Sequence, residues 1–338
     1  GATAFPQCMS CHAAHPNFVA IFDRWKVSDH ALMARRGIRG EIPGYNQSCL
    51  KCHTTGSDMN LVAANDGFDD IQASVSWVFT SPSVAAWTSL STSNALLQRA
   101  NVGCEACHGP GSEHTAGGAI ARTQVSYDDG VCAPCHSGGA NYPLYEEFIN
   151  SDHFTPIWSN SFAQGTTSQN NSLGNCIRCH DGRGFANFAG YSRVTNTTGM
   201  NRIDQIDIGC ASCHDPHGNS NPYSIRNVPN LADTLGTGFN YAGMGGTGET
   251  CMSCHKSRRN NVTQLTVTMG STWGPHSSVE ADVLLGRNAA VWPGGAAYNS
   301  SSHIFAVENS CVTCHMGASP AVGNANRLRV GGHTFNMS

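Results

Sequence analysis

The sequence predicts a fold of mostly irregular coil, with a few short helices and little strand. Three observations lead there. Only 12% of the 338 residues are charged, whereas 37 are glycine. Long stretches such as 160–175 and 236–250 consist largely of Gly, Ser, Thr and Asn, the residues of turns and loops. Finally, 16 cysteines and 16 histidines are spread along the whole chain, so local chemistry recurs too often for large regular elements to form between.

The helical candidates are few. Ser28 is placed to cap a helix over 29–36, with Gly37 as its stop. Residues 82–100 have helical length but many Ser and Thr. Ser278 is placed to cap 279–285, which Gly286 would end. The longest apolar runs, such as 75–79, are far too short for a membrane span. The opening Gly1-Ala2-Thr3-Ala4 reads as a mature N-terminus without a signal peptide.

Every cysteine falls into one pattern, C-x-x-C-H. In chain order the first to eighth motifs are Cys8, Cys11 and His12; Cys49, Cys52 and His53; Cys104, Cys107 and His108; Cys132, Cys135 and His136; Cys176, Cys179 and His180; Cys210, Cys213 and His214; Cys251, Cys254 and His255; and Cys311, Cys314 and His315. Paired cysteines admit disulfides, zinc or iron–sulfur sites, and covalent haem. One isolated match would fit a zinc knuckle or a redox dithiol. Eight matches, each followed by His and leaving no cysteine over, point to eight covalently bound haem c groups. Each haem would take both thiols as thioethers to its two vinyl groups, which leaves none for disulfides. The adjoining His is then the proximal iron ligand.

Eight histidines lie outside these motifs: His15, His30, His114, His153, His217, His276, His303 and His333. Their number equals that of the motifs. Some would be ordinary surface histidines in an ordinary chain, but a chain so poor in other charged groups has few such uses for them. The sequence therefore predicts that they are distal ligands, giving bis-histidine haems. The nine methionines are not needed for this. His15 follows His12 by three residues and emerges on the same side of the ring plane, so it should reach a different haem. The same holds for His217 after His214, and for His114 after His108. Short segments that carry ligands for two haems force those haems together.

The 338 residues divide into about 42 per motif, too few for a globular domain each. The chain is thus expected to wrap a core of haems, with thioethers and iron–His bonds replacing much of the apolar core. Length alone suggests about two domains, but this ligand economy predicts one octahaem unit over 1–338. Within it a weak repeat is visible: Ser28-Asp29-His30 precedes the second motif, and Ser151-Asp152-His153 precedes the fifth. The repeated three-haem segments would be about 28–136 and 151–255.

The segment from Trp25 through His30 to the second motif, and Val102-Gly103 with the third motif and His114, resemble cytochrome c554-like proteins. Gly274-Pro275-His276, the eighth motif and Gly331-Gly332-His333-Thr334 resemble outer-surface multihaem cytochromes of metal-reducing microbes. Some of those polymerise into extracellular filaments with a continuous haem chain. The resemblance implies a multihaem cytochrome c fold and electron transfer. It also implies an extracellular or cell-surface location, with the periplasm as the alternative. The implied partners are other copies of the chain, joined head to tail, and other cytochromes or extracellular electron acceptors. In such filaments a neighbouring subunit supplies some distal histidines.

Two alternatives stand beside a filament subunit: a monomeric periplasmic shuttle, and an octahaem reductase of nitrogen or sulfur oxyanions. A reductase needs an open coordination position, often flagged by Lys as the proximal ligand. Here all eight motifs end in His, and Lys51 lies inside its motif, so an electron carrier is expected rather than an enzyme. A head-to-tail contact that does not close would build a filament. A net charge of −4 without a basic cluster argues against nucleic acid.

Overall fold

The structure, a computed structural model, describes residues 6–58, 64–116, 126–138, 142–158, 174–191, 199–226 and 238–337, less 267, 269–273, 275, 277, 290, 292, 293 and 297. Among them the longest helices have ten residues (Pro16–Trp25, Asp29–Ile38 and Gly182–Tyr191). No strand occurs among the described residues; one antiparallel bridge joins His214 to Ile225. Outside its short helices the described chain is turn and coil, as the composition predicts. It divides into two compact units, residues 1–126 with 216–220, and residues 127–215 with 221–338.

In the first unit Ser28 caps the helix Asp29–Ile38, its hydroxyl accepting from the Ala31 N–H. Gly37 does not stop this helix. It lies inside it because a Cβ there would fall 2.2 Å from the Tyr45 ring. The chain turns instead at Gly40, where φ is +85°. The predicted helix over 82–100 is two helices, Val84–Ser91 and Asn94–Arg99, capped by the hydroxyls of Ser83 and Ser93. Serine hydroxyls compete for backbone donors, which breaks the run at Ser93. These helices close a core of Ile38, Tyr45, Leu50, Phe68, Leu90 and Leu96 with Phe79 and Ala100.

In the second unit the helices Gly174–His180 and Gly182–Tyr191 pack closely at Gly184, where a Cβ would lie 2.2 Å from Ile177. The helix Glu280–Leu285 has Val279 at its N-cap; Ser278 sits at φ +67° and makes no cap, while Gly286 at φ +60° ends the helix. The predicted loop at 160–175 lies outside the described residues up to 173, and 174–175 open the next helix. Residues 238–248 are coil and a single 3₁₀ turn before the helix Glu249–Met252.

Each apolar cluster takes in one attachment motif through its first spacer residue. Leu50 of the second motif, Ile177 of the fifth and Met252 of the seventh are buried in three separate clusters. Full burial of such a side chain is worth about 1.5–3 kcal/mol. These three motif turns are therefore held by side-chain packing before any cofactor is considered.

Candidate metal centres

Each motif takes up a helical turn. The helices are Pro6–His12, Leu50–His53, Cys104–His108, Ala133–His136, Gly174–His180, Cys210–Cys213, Glu249–Met252 and Cys311–His315. Where the helix stops short of the motif, hydrogen bonds from His214 N to Cys210 O (2.9 Å) and from His255 N to Cys251 O (2.9 Å) complete the turn. A turn puts residues i, i+3 and i+4 on one face. Two thiols and one imidazole then point the same way, as a covalently held porphyrin requires.

The histidines outside the motifs stand opposite those inside. His12 faces His114 with ring centres 6.1 Å apart, His108 faces His217 at 6.2 Å, His153 faces His255 at 6.0 Å, His180 faces His276 at 6.2 Å, and His214 faces His333 at 6.3 Å. A metal–imidazole bond is about 2 Å long and the ring centre lies about 1 Å further, so two imidazoles on one metal have centres about 6 Å apart. All five distances meet that requirement, as does His12–His15 at 5.9 Å, and every pair joins one motif histidine to one lone histidine. His30 bears electrostatically on His53, and His136 on His333, which already stands opposite His214.

His15 and His303 are the lone histidines outside the five ring pairs and these electrostatic contacts, and His315 the motif histidine outside them. His15 lies beside His12, with ring centres 5.9 Å apart and tilted by 53°. His303 Nδ1 is 3.1 Å from the Ser301 hydroxyl. Both lone histidines are exposed. His153 faces the seventh motif and not the fifth, which follows it in the chain, so the two arms of the sequence repeat are wired differently. His217 belongs to the first unit with His108, although His214, three residues before it, belongs to the second.

Second contacts fix the rings. His214 Nδ1 donates to Tyr223 O at 2.7 Å and His315 Nδ1 to Phe335 O at 2.9 Å. Because a carbonyl only accepts, Nδ1 carries the proton and Nε2 is left for a metal. His255 Nδ1 is 3.4 Å from the Glu280 carboxylate. Burial lowers the pKa of His153 and of His180 to about 4, and lowers those of His53, His214 and His333 as well. These imidazoles are neutral at pH 7, the form in which a histidine ligates a metal.

Thiols of different motifs bear on one another in pairs: Cys8 with Cys104, Cys132 with Cys210, Cys179 with Cys254 and Cys251 with Cys311. First cysteines meet first cysteines, and second meet second. The Cys179–Cys254 contact is reciprocal: each thiol donates to the carbonyl of the residue before the other, Ser253 O at 3.9 Å and Arg178 O at 3.8 Å. Among the described residues no group of three or more His, Cys, Asp and Glu side chains is placed to hold a bare metal ion.

Buried carboxylates brace these turns, and sequence reading passes over them. Asp129 accepts from the Cys210 N–H at 2.6 Å, Asp282 from the Ser257 N–H at 2.7 Å, and Asp181 from Gly184 N and Ile206 N at 2.8 and 2.9 Å. Asp181 and Asp215 each follow a motif histidine directly, and that His-Asp dipeptide was a legible signal.

A family model described as cytochrome c554 and c-prime matches residues 131–215, which contain the fourth, fifth and sixth motifs. The chain is 31% identical to the C-type polyheme cytochrome OmcB of Geobacter sulfurreducens over 134 residues, 35% of this chain and 16% of that protein. It is 27% identical to the C-type polyheme cytochrome OmcC of the same organism over 175 residues, 46% of this chain and 22% of OmcC. It is 23% identical to the multiheme cytochrome MtrA of Shewanella baltica over 47% of this chain and 44% of MtrA. The chain thus spans less than half the length of each of these relatives. No solved structure matches it. The thiol and imidazole turns, the facing histidines and these similarities together make the chain a multihaem c-type cytochrome, with covalently bound haem c.

Proposed function

We propose that the chain holds eight haem c groups, each between two histidines, and carries electrons along them. The observation that carries this reading is the set of facing histidine pairs at 6.0–6.3 Å. An iron ligated by two imidazoles has no open position and exchanges electrons alone, at low potential relative to His/Met ligation. The chain's part is to hold the histidines in place, to keep the buried imidazoles of His53, His153, His180, His214 and His333 neutral and to keep the attachment turns side by side.

We further propose that the chain is the subunit of an extracellular filament that delivers electrons to external acceptors, with the periplasmic shuttle as the alternative. Exposed His15 and His303 support the filament, since each is free to complete a centre in another copy. No helix among the described residues is long and apolar enough to cross a membrane.

Intact-mass measurement of the purified holoprotein tests the haem count, and electron paramagnetic resonance of the oxidised protein tests the ligation. Eight haems and a wholly low-spin ferric spectrum are expected. A substantial high-spin signal would revive the reductase. Negative-stain microscopy under native conditions should show filaments; discrete small particles alone would favour the shuttle.

A further inference from the structure

Two pairs of attachment turns in the second unit lie in different charge environments. The fifth and seventh motifs meet at Cys179 and Cys254. Arg178 is buried beside them with its guanidinium 4.8 Å from the Phe188 ring centre. Lys256, also buried, has its ammonium 4.9 Å from the Tyr241 ring centre. Arg258 brings Nη1 to 3.5 Å from Cys176 Sγ. All three cations bear on the Cys179 thiol. The carboxylates nearby are already engaged. Asp181 accepts two backbone N–H groups and lies 3.7 Å from Arg183. Asp282 accepts from the Tyr241 hydroxyl and Ser257 N–H. Glu280 beside His255 is largely exposed. Asp152, also exposed, bears on His153, the ring opposite His255. Four cations thus stand against four carboxylates, two of them screened by water.

The fourth and sixth motifs meet at Cys132 and Cys210, and there carboxylates outnumber cations. Buried Asp129 and its neighbour Asp128 bear on Cys132. Buried Glu147 lies 3.9 Å from His333 Nδ1, opposite His214. Asp215 is 3.9 Å from Arg226, the buried cation on this side. Four carboxylates stand against one cation.

We infer that this division of charge separates the reduction potentials of the two pairs, so that haems at the fifth and seventh motifs hold electrons more tightly than those at the fourth and sixth. The inference rests on the reading that each motif carries a haem. Reduction adds one electron to a ferric centre and makes or breaks no bond, so the centre's charge falls by one. Nearby positive charge favours that change and nearby negative charge opposes it. Burial in a medium of low dielectric strengthens both effects. The fifth and seventh motifs then form an electron reservoir within the unit, filled before the fourth and sixth by any low-potential one-electron donor.

Spectroelectrochemical titration of the full holoprotein, reduced stepwise with dithionite, tests the idea. Arg178→Gln is expected to lower the highest potentials, making those centres about tenfold harder to reduce at fixed potential, a shift of about 59 mV. Asp129→Asn is expected to raise the lowest ones when combined with Asp207→Asn, which keeps the neighbouring carboxyl from ionising in its place, so the two sets of variants narrow the spread from opposite ends. Arg178→Lys keeps the charge and should leave the titration in place. If Arg178→Gln does not fold, Arg258→Gln, on a partly exposed side chain, is expected to move the same centres the same way. Unchanged potentials, or a shift of the opposite sign, in variants that keep all their haem would overturn the inference. Missing haem or a high-spin spectrum in the parent protein would instead count against the proposed function.

Discussion

The rings of His108 and His217 face each other within 9° of parallel at 6.2 Å, although 109 residues separate them (217 − 108). Both lie in the first compact unit, and the chain returns to that unit for only five residues, 216–220, to bring His217 there. Gly218 permits the return, with φ at +84° and a built Cβ 3.1 Å from the Ser28 side chain. So long a closure for one side chain is understandable if the side chain is a ligand. Replacing His217 with Ala should leave the haem content unchanged, because both thioethers at the third motif remain. One centre should become high-spin, which electron paramagnetic resonance of the ferric protein would register. Loss of haem without a spin change would argue that His217 is structural.

His276 and His153 offer a sharper test. The sequence repeat places His153 next to the fifth motif, but His276 is the ring opposite His180, and His153 is opposite His255. His276→Ala and His153→Ala should therefore each convert a different haem, and the double variant should show twice the high-spin signal of either. If His153 served His180, the His276 variant would remain fully low-spin.

Leu50 ties the second motif to the largest apolar cluster and is fully buried. Leu50→Ala should cost about 2–5 kcal/mol, as large-to-small core changes do. Val262→Ala, at a side chain that is mostly exposed, should stay within about 0.5 kcal/mol. The shift of the denaturant midpoint, followed by circular dichroism, compares the two. Equal shifts would mean that the cluster around Leu50 does not support the fold.

Asp207 gives stability a pH dependence. Burial first, and the neighbouring Asp129 next, raise its pKa from 3.8 to about 8. Between those values the unfolded chain releases the proton while the folded chain keeps it. The folded state therefore binds more protons, and stability falls as pH rises from about 4 to about 8. Asp207→Asn should flatten that slope in melting temperatures measured across the range. An unaltered slope would show that the carboxyl is not held protonated.

Much of the chemistry was legible because it is local. Two thiols and an imidazole at i, i+3 and i+4 share a face of a single turn, whatever surrounds it, so Cys176, Cys179 and His180 announce an attachment site by spacing alone. The caps of the short helices were legible where a hydroxyl met a free N–H, as at Ser28, and failed where a backbone at positive φ took over, as at Ser278. Gly37 misled as a stop signal because its lack of a side chain serves the Tyr45 ring and not the helix end.

By itself, the sequence determined the kind of cofactor, the number of attachment motifs, the two sets of histidines and the coil-rich character of the chain. Only the tertiary structure decided which lone histidine meets which motif, which thiols lie side by side, and which attachment turns sit among cations or carboxylates. Attachment is a property of five consecutive residues. Pairing His108 with His217, or gathering Arg178, Lys256 and Arg258 near one thiol, depends on chain closures of tens of residues, and packing and burial select those.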